Sequence, residues 1–169
     1  MTYWDARADA ERLAAELHAE NFLNGQWKAR NGLNVPGPFY GADTDTCLAG
    51  FAAAPRHVLF DEHGMEFVWR QPRNLDEVRA VLDAAYQDPF EGYGCDGDDH
   101  WTPELVQEWW DGREQIDERL AKGSFPTDEC HAEALLEARD EYRRYIAEGL
   151  YDDLRRYAEW LSGRARLTR

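Results

Sequence analysis

Apolar residues recur every three or four positions over four stretches of this chain, and that spacing predicts four helices. The first is expected to run from a hydroxyl cap at Thr2 to about Glu20, with Ala6, Ala10, Leu13 and Leu17 in register and Trp4 and Ala14 nearby. The second opens at Asn74, with Glu77 three residues on as the other half of a capping box. Its stripe is Leu75, Val78, Leu82, Ala85 and Tyr86. The third starts Thr102-Pro103-Glu104: a cap, a proline in the first turn and an acid at the positive helix end. Leu105, Val106, Trp109, Ile116 and Leu120 make its buried face, and Lys122-Gly123 ends it. The fourth is capped by Thr127, with Asp128 and Glu129 in its first turn. A stripe from Leu135 to Leu161 persists through it, a kink is expected near Gly149, and Gly163 is the expected stop. The short link between the third and fourth predicts antiparallel packing.

In the middle of the chain the pattern changes. His57–Phe60 and Glu66–Arg70 are rich in valine and aromatics and are joined by a loop containing Gly64, which predicts a β-hairpin. A lone hairpin is marginal in water, so a third strand is expected from QWKAR (residues 26–30) or from the segment after it, or else cover from the helices. Two stretches have neither period: NVPGPFYGADTDTC (34–47, continuing to about Ala54) and QDPFEGYGCDGDDHW (87–101). Long irregular segments in compact domains tend to carry function. The expectation is an α+β fold: a helical majority, a small antiparallel sheet at the central hairpin and a C-terminal antiparallel helix pair. One domain fits the 169 residues, with a mixed part at 1–101, a helical hairpin at 102–163 and a frayed basic tail at 164–169.

Charge shifts attention within this framework. The chain carries a formal −15, and the excess is local: residues 83–118 hold twelve acids against one base, Arg113. Such a balance disfavours direct contact with nucleic acid or anionic membranes and favours a basic protein partner. On the third helix Glu104, Glu108 and Asp111 fall in one row, which Glu114 and Glu118 continue; like charges at that spacing repel. With Asp96, Asp98, Asp99 and a tryptophan anchor at Trp110, they make a candidate docking face; a solvated acidic surface explains the same row. There is no apolar run of signal-peptide or membrane-spanning kind, and three widely spaced cysteines (Cys47, Cys95, Cys130) fit a reducing compartment, so a cytoplasmic location is expected.

Chemistry is only weakly signalled. Asp96-Gly97-Asp98-Asp99 resembles a calcium loop, yet the sixth and twelfth positions are Trp101 and Gln107 where glycine and glutamate are needed. The cysteines and His57, His63, His100 and His131 lack the paired spacing of structural zinc sites. No metal and no cofactor is therefore assigned. Cys47 or Cys95 with a histidine is a conceivable nucleophile, but no phosphate-binding, dinucleotide or nucleophile-elbow glycine motif is present. If the two irregular segments meet, they bring Tyr40, Asp45, Tyr93 and Trp101 together as an aromatic, carboxylate-lined pocket suited to a cation, with Phe39 and Phe90 in the same segments. Asp43, Asp45, Asp98 and His100 would be its acid–base groups. The plainer alternative has these aromatics closing the core and the aspartates making turns. The leading expectation is thus a non-enzymatic acidic binding protein of inhibitor or immunity type. A small enzyme or ligand-binding protein using that pocket, and a structural subunit of a larger complex, are the alternatives.

Overall fold

The computed structural model describes residues 3–18, 22–123 and 131–167. Its elements in chain order are α1 (Ala6–Leu17), β1 (Tyr40–Gly41), α2 (Ala49–Ala53), β2 (Val58–Phe60), β3 (Glu66–Val68), α3 (Leu75–Gln87), β4 (Tyr93–Gly94), α4 (Pro103–Asp111), α5 (Arg113–Lys122), α6 (Ala132–Glu148) and α7 (Leu150–Leu167). The protein is mostly helical, with two small antiparallel two-strand sheets and its C-terminal helices in contact, as the α+β expectation required.

Local signals account for most helix boundaries. Asn74 accepts from the Glu77 amide, and the Glu77 carboxylate accepts in return from the Arg73 amide, so the box closes one residue early. Thr102 accepts from the Leu105 amide ahead of Pro103. The Asp5 carboxylate accepts from the Arg7 amide and starts α1 there; the expected Thr2 cap lies outside the described residues. So do the Thr127 cap with Asp128 and Glu129, Cys130, and the α1 end at Glu20. Three expectations change. The third helix is divided at Gly112 into α4 and α5. The last helix passes through Gly163 to Leu167, so the first residues of the basic tail are helical rather than frayed. QWKAR forms a 3-10 turn at Trp27–Ala29, not a strand.

The hairpin is the centre of the fold. Val58 pairs with Val68, Leu59 with Phe67 and Phe60 with Glu66, and all six are buried. Val58 and Val68 join a core made with α1, α3, Phe39 and Tyr93. Leu59, Phe60, Phe67 and Trp69 join a second core with α4–α7, in which α5 packs on α6 and α4 on α7. Burial on both faces explains why the strands read as apolar runs rather than as an alternation.

The two irregular segments meet. Tyr40 pairs with Gly94 and Gly41 with Tyr93, and on the other side Leu23 bridges to Gly92. The contact depends on missing side chains: a Cβ on Gly94 would lie 2.2 Å from the Tyr40 ring, and one on Gly92 would lie 2.5 Å from the Asp43 carbonyl. The segment after Asn31 also takes the place of the third strand. Trp69 and Asp61 bond across the hairpin to His57 and Met65, so antiparallel alternation turns the amides of Glu66 and Val68 to the outer edge of β3. There the Thr44 hydroxyl accepts from Glu66 at 2.7 Å and the Asn34 carbonyl oxygen from Val68 at 2.8 Å, while Val35 donates to the Val68 carbonyl.

Candidate functional site

Tyr40, Trp101 and Asp96 do gather, but around the chain's own side chains. Trp27 stands between them. Its ring is 5.4 Å from Tyr40 and 5.1 Å from Trp101, edge-on to both, and is stacked on His100 at 4.8 Å. The Arg30 guanidinium lies 3.9 Å over Trp27 and 5.5 Å from Trp101. Asp96 holds the polar end: Oδ1 is 2.6 Å from the Tyr40 hydroxyl and Oδ2 is 3.0 Å from His100 Nε2. The cation against these rings is the chain's own Arg30, which also donates to the Trp27 carbonyl. The signal is the three-residue spacing of Trp27 and Arg30 in QWKAR, which a 3-10 turn brings onto one side.

Tyr93 belongs to a different cluster. It is fully buried, and its hydroxyl donates to Glu66 Oε2 at 2.6 Å while Glu66 Oε1 accepts from the Phe51 amide. Burial raises the Glu66 carboxyl to about 7. Asp45 is 5 % exposed and accepts from the Cys47 amide; its own amide donates to Asp88. Asp88 also accepts from Phe90 and Gly92, so its carboxylate is the anchor of the 88–92 turn. Asp43 and Phe90 are exposed.

Asp98 sits elsewhere again. It is 5 % exposed, its Oδ1 accepts from the Tyr157 hydroxyl at 2.6 Å, and its Oδ2 is buried with no hydrogen-bond partner. Burial raises its carboxyl to about 6. The four expected acid–base groups therefore have separate partners: Asp45 with Cys47 and Asp88, Asp98 with Tyr157, His100 with Asp96, and Asp43 at the surface. Among the described residues, neither Cys47 nor Cys95 is poised as a thiolate. Asp45 pushes the exposed Cys47 up, and burial pushes Cys95 to about 11. Burial lowers His57, whose Nδ1 contacts the Arg70 carbonyl. Among the described residues no three His, Cys, Asp or Glu side chains form a metal-holding group.

The acidic block divides sharply by exposure. Asp98 is withdrawn from the surface and leaves the expected docking set, because the turn at 97–99 points it at α7. Asp99 is engaged by Arg7 at 2.6 Å and by Arg164 at 3.4 Å. Asp117 pairs with Arg143 and Glu118 with Lys122. By contrast Glu104, Glu108, Asp111 and Glu114 are exposed, and none has an ion pair among the described residues. Beside them Trp110 is half-buried, tilted against the exposed Tyr151 at 5.2 Å, with Arg113 over its ring at 4.4 Å. Of the two other tryptophans within residues 83–118, Trp101 is buried and Trp109 is half-buried against the helical core. Comparison with protein-family models, curated proteins and solved structures finds no significant match for this chain. No described helix is long and apolar enough to cross a membrane.

Proposed function

We propose that this is a non-enzymatic binding protein of inhibitor or regulatory type that docks a basic protein through the outer face of α4 and the start of α5. One observation carries the proposal: Glu104, Glu108, Asp111 and Glu114 are exposed and make no ion pair among the described residues, whereas Asp99, Asp117 and Asp153 each meet an arginine distant in the chain. Unpaired like charges in a row cost the helix a few tenths of a kcal/mol per pair, and a cationic surface relieves that cost on binding. Trp110 and Tyr151 supply the apolar anchor that charge alone lacks. Free Cys47 and Cys95 support a reducing, cytoplasmic setting.

Bait carrying Glu104→Lys, Glu108→Lys and Asp111→Lys tests this against wild type and against a matched control with Asp83, Glu133 and Glu137 reversed. Quantitative capture from source lysate should show a basic protein retained by wild type and control and lost, by about tenfold or more, from the α4 variant. Equal retention by all three baits overturns the proposal.

A further inference from the structure

The docking face borders a groove. Where α4 packs on α7, Pro103, Val106 and Trp110 of one helix face Tyr151, Leu154 and Ala158 of the other across a cleft of about 220 Å³. Each set falls at i, i+3 and i+7, so each wall is one face of its helix. The helices run antiparallel: Trp110, late in α4, lies 5.2 Å from Tyr151, early in α7, whereas Asp98 and Asp99, ahead of α4, bond to Tyr157 and Arg164 further along α7. Val106 and Leu154 are the buried floor, while Trp110 is half-buried and Tyr151 is 52 % exposed. The cleft is smaller than the roughly 300–1,000 Å³ of small-ligand sites and suits the side chains of a partner.

Charge beside the groove is in negative excess. Gln107 lines the cleft and donates to Asp111 at 2.8 Å, which ties the rim to the row of Glu104, Glu108 and Asp111. Those three acids and Glu114 make no ion pair among the described residues. The bases nearby do not offset them. Arg155, on the α7 rim, is already matched by Glu159 at 3.2 Å and Asp152 at 4.0 Å. Arg113 has no ion pair among the described residues; it lies over the Trp110 ring at 4.4 Å and donates to the Trp110 carbonyl. Four unpaired carboxylates therefore stand against one such arginine.

Resting on the docking reading above, we propose that the basic partner enters as an amphipathic helix, its apolar side chains in the α4–α7 groove and its lysines or arginines over Glu104, Glu108 and Asp111. Residues 103–110 span about 11 Å along α4 at about 1.5 Å per residue, which is two turns. A third helix laid in a groove between two others presents apolar anchors at the same i, i+3 or i+4 and i+7 spacing. Charge complementarity selects the occupant. Apolar contact alone admits any amphipathic helix, and the acid row repels one whose polar face is acidic.

The test uses three synthetic helices as probes: one with lysines along one face and leucines along the other, one with those leucines changed to alanine, and one with glutamates in place of the lysines. Binding is read by calorimetry against wild type, against Ala158→Trp, which fills the groove without altering charge, and against the triple variant Glu104→Lys, Glu108→Lys and Asp111→Lys. Expected is saturable binding of the lysine–leucine helix by wild type, binding of the lysine–alanine helix weaker by about tenfold or more, and none of the glutamate helix. Ala158→Trp should weaken the lysine–leucine helix about tenfold and leave the lysine–alanine helix unchanged, and the triple variant should weaken both. Circular dichroism should show Ala158→Trp folded as wild type; if it is not, Ser162→Trp on the same rim takes its place. Equal binding of the two lysine helices by wild type, no binding of either up to about 1 mM, equal binding of the glutamate helix, or undiminished binding of the lysine–leucine helix by Ala158→Trp overturns the proposal. Where Ala158→Trp has no effect but the triple variant weakens binding, the groove fails and the docking reading stands; a triple variant that weakens neither helix overturns that reading itself.

Discussion

In residues 31–45 and 88–92, buried side chains bind backbone. Asn34 makes four such bonds: it donates to the Asn31 and Gly41 carbonyls and accepts from the Gly41 and Val68 amides. Gln71 makes three, to Val35 and twice to Phe39, and Asp88 accepts three amides. Among the described residues of 102–164 the helices satisfy their own backbone, and many polar side chains there are exposed, some pairing with one another, as Arg143 does with Asp117 and Arg155 with Glu159. Polar side chains in the loops are therefore structural, whereas those of the helices are free to meet a partner. The proposed docking acids lie in the second group. Of the candidate catalytic carboxylates, Asp45 lies in the first, Asp43 is exposed, and Asp98 reaches across to the Tyr157 hydroxyl of α7.

The contrast breaks most sharply at Asn34. Asn34→Leu strands the amides of Gly41 and Val68 inside the protein, and each unsatisfied donor costs about 1–3 kcal/mol, so a loss of about 3 kcal/mol or more is expected from urea unfolding. A loss under about 1 kcal/mol would mean that water replaces the amide and that the loop is not held as described.

A smaller effect follows pH. Asp98 is raised in the folded protein to about 6 and Glu66 to about 7, both above the values expected when unfolded. Raised carboxyls favour the folded state fully below the unfolded values, near pH 4, and lose that contribution as pH rises through 6 and 7. The melting temperature should therefore fall between pH 5 and pH 8, by an amount on the order of 1–3 kcal/mol in stability. Asp98→Asn and Glu66→Gln together should flatten most of that slope, and a slope unchanged in the double variant removes the two groups as its cause.

The smallest change is expected on the helical side. Reversing Glu104, Glu108 and Asp111 touches no ion pair among the described residues and breaks the Asp111–Gln107 contact at 2.8 Å and the hydrogen bonds of the exposed Glu104 carboxylate to Thr102 and its own amide. Stability should move by about 0.5 kcal/mol or less. A large loss would show that the row is structural and would sharpen the contrast in the opposite sense.

Helix starts and the hairpin were legible in the sequence because their causes are local. The Asn74–Glu77 box, Thr102-Pro103 and the two valine- and aromatic-rich strands each act within a few residues. Apolar stripes were legible in phase but not in extent: Leu17 and Tyr86, at 51 % and 69 % exposed, lie on the edge of their faces. Lys122-Gly123 ends α5 and the helix breaks at Gly149 as expected, but Gly163 does not end its helix. A glycine weakens a helix without having to end it, and α7 runs through Gly163.

The amino-acid sequence by itself determined the class of fold, the caps, the strand pair and the concentration of acid in residues 83–118. Only the tertiary structure decided which of those acids face water, that the two irregular segments join through Tyr40 and Tyr93, and that Trp27, with Arg30 over its ring, packs edge-on to Tyr40 and Trp101. The reason is range. Capping and periodicity act over three or four residues, whereas Asn34 reaches Val68 and Asp98 reaches Tyr157, 34 and 59 positions away, and such partners are chosen by the path of the chain.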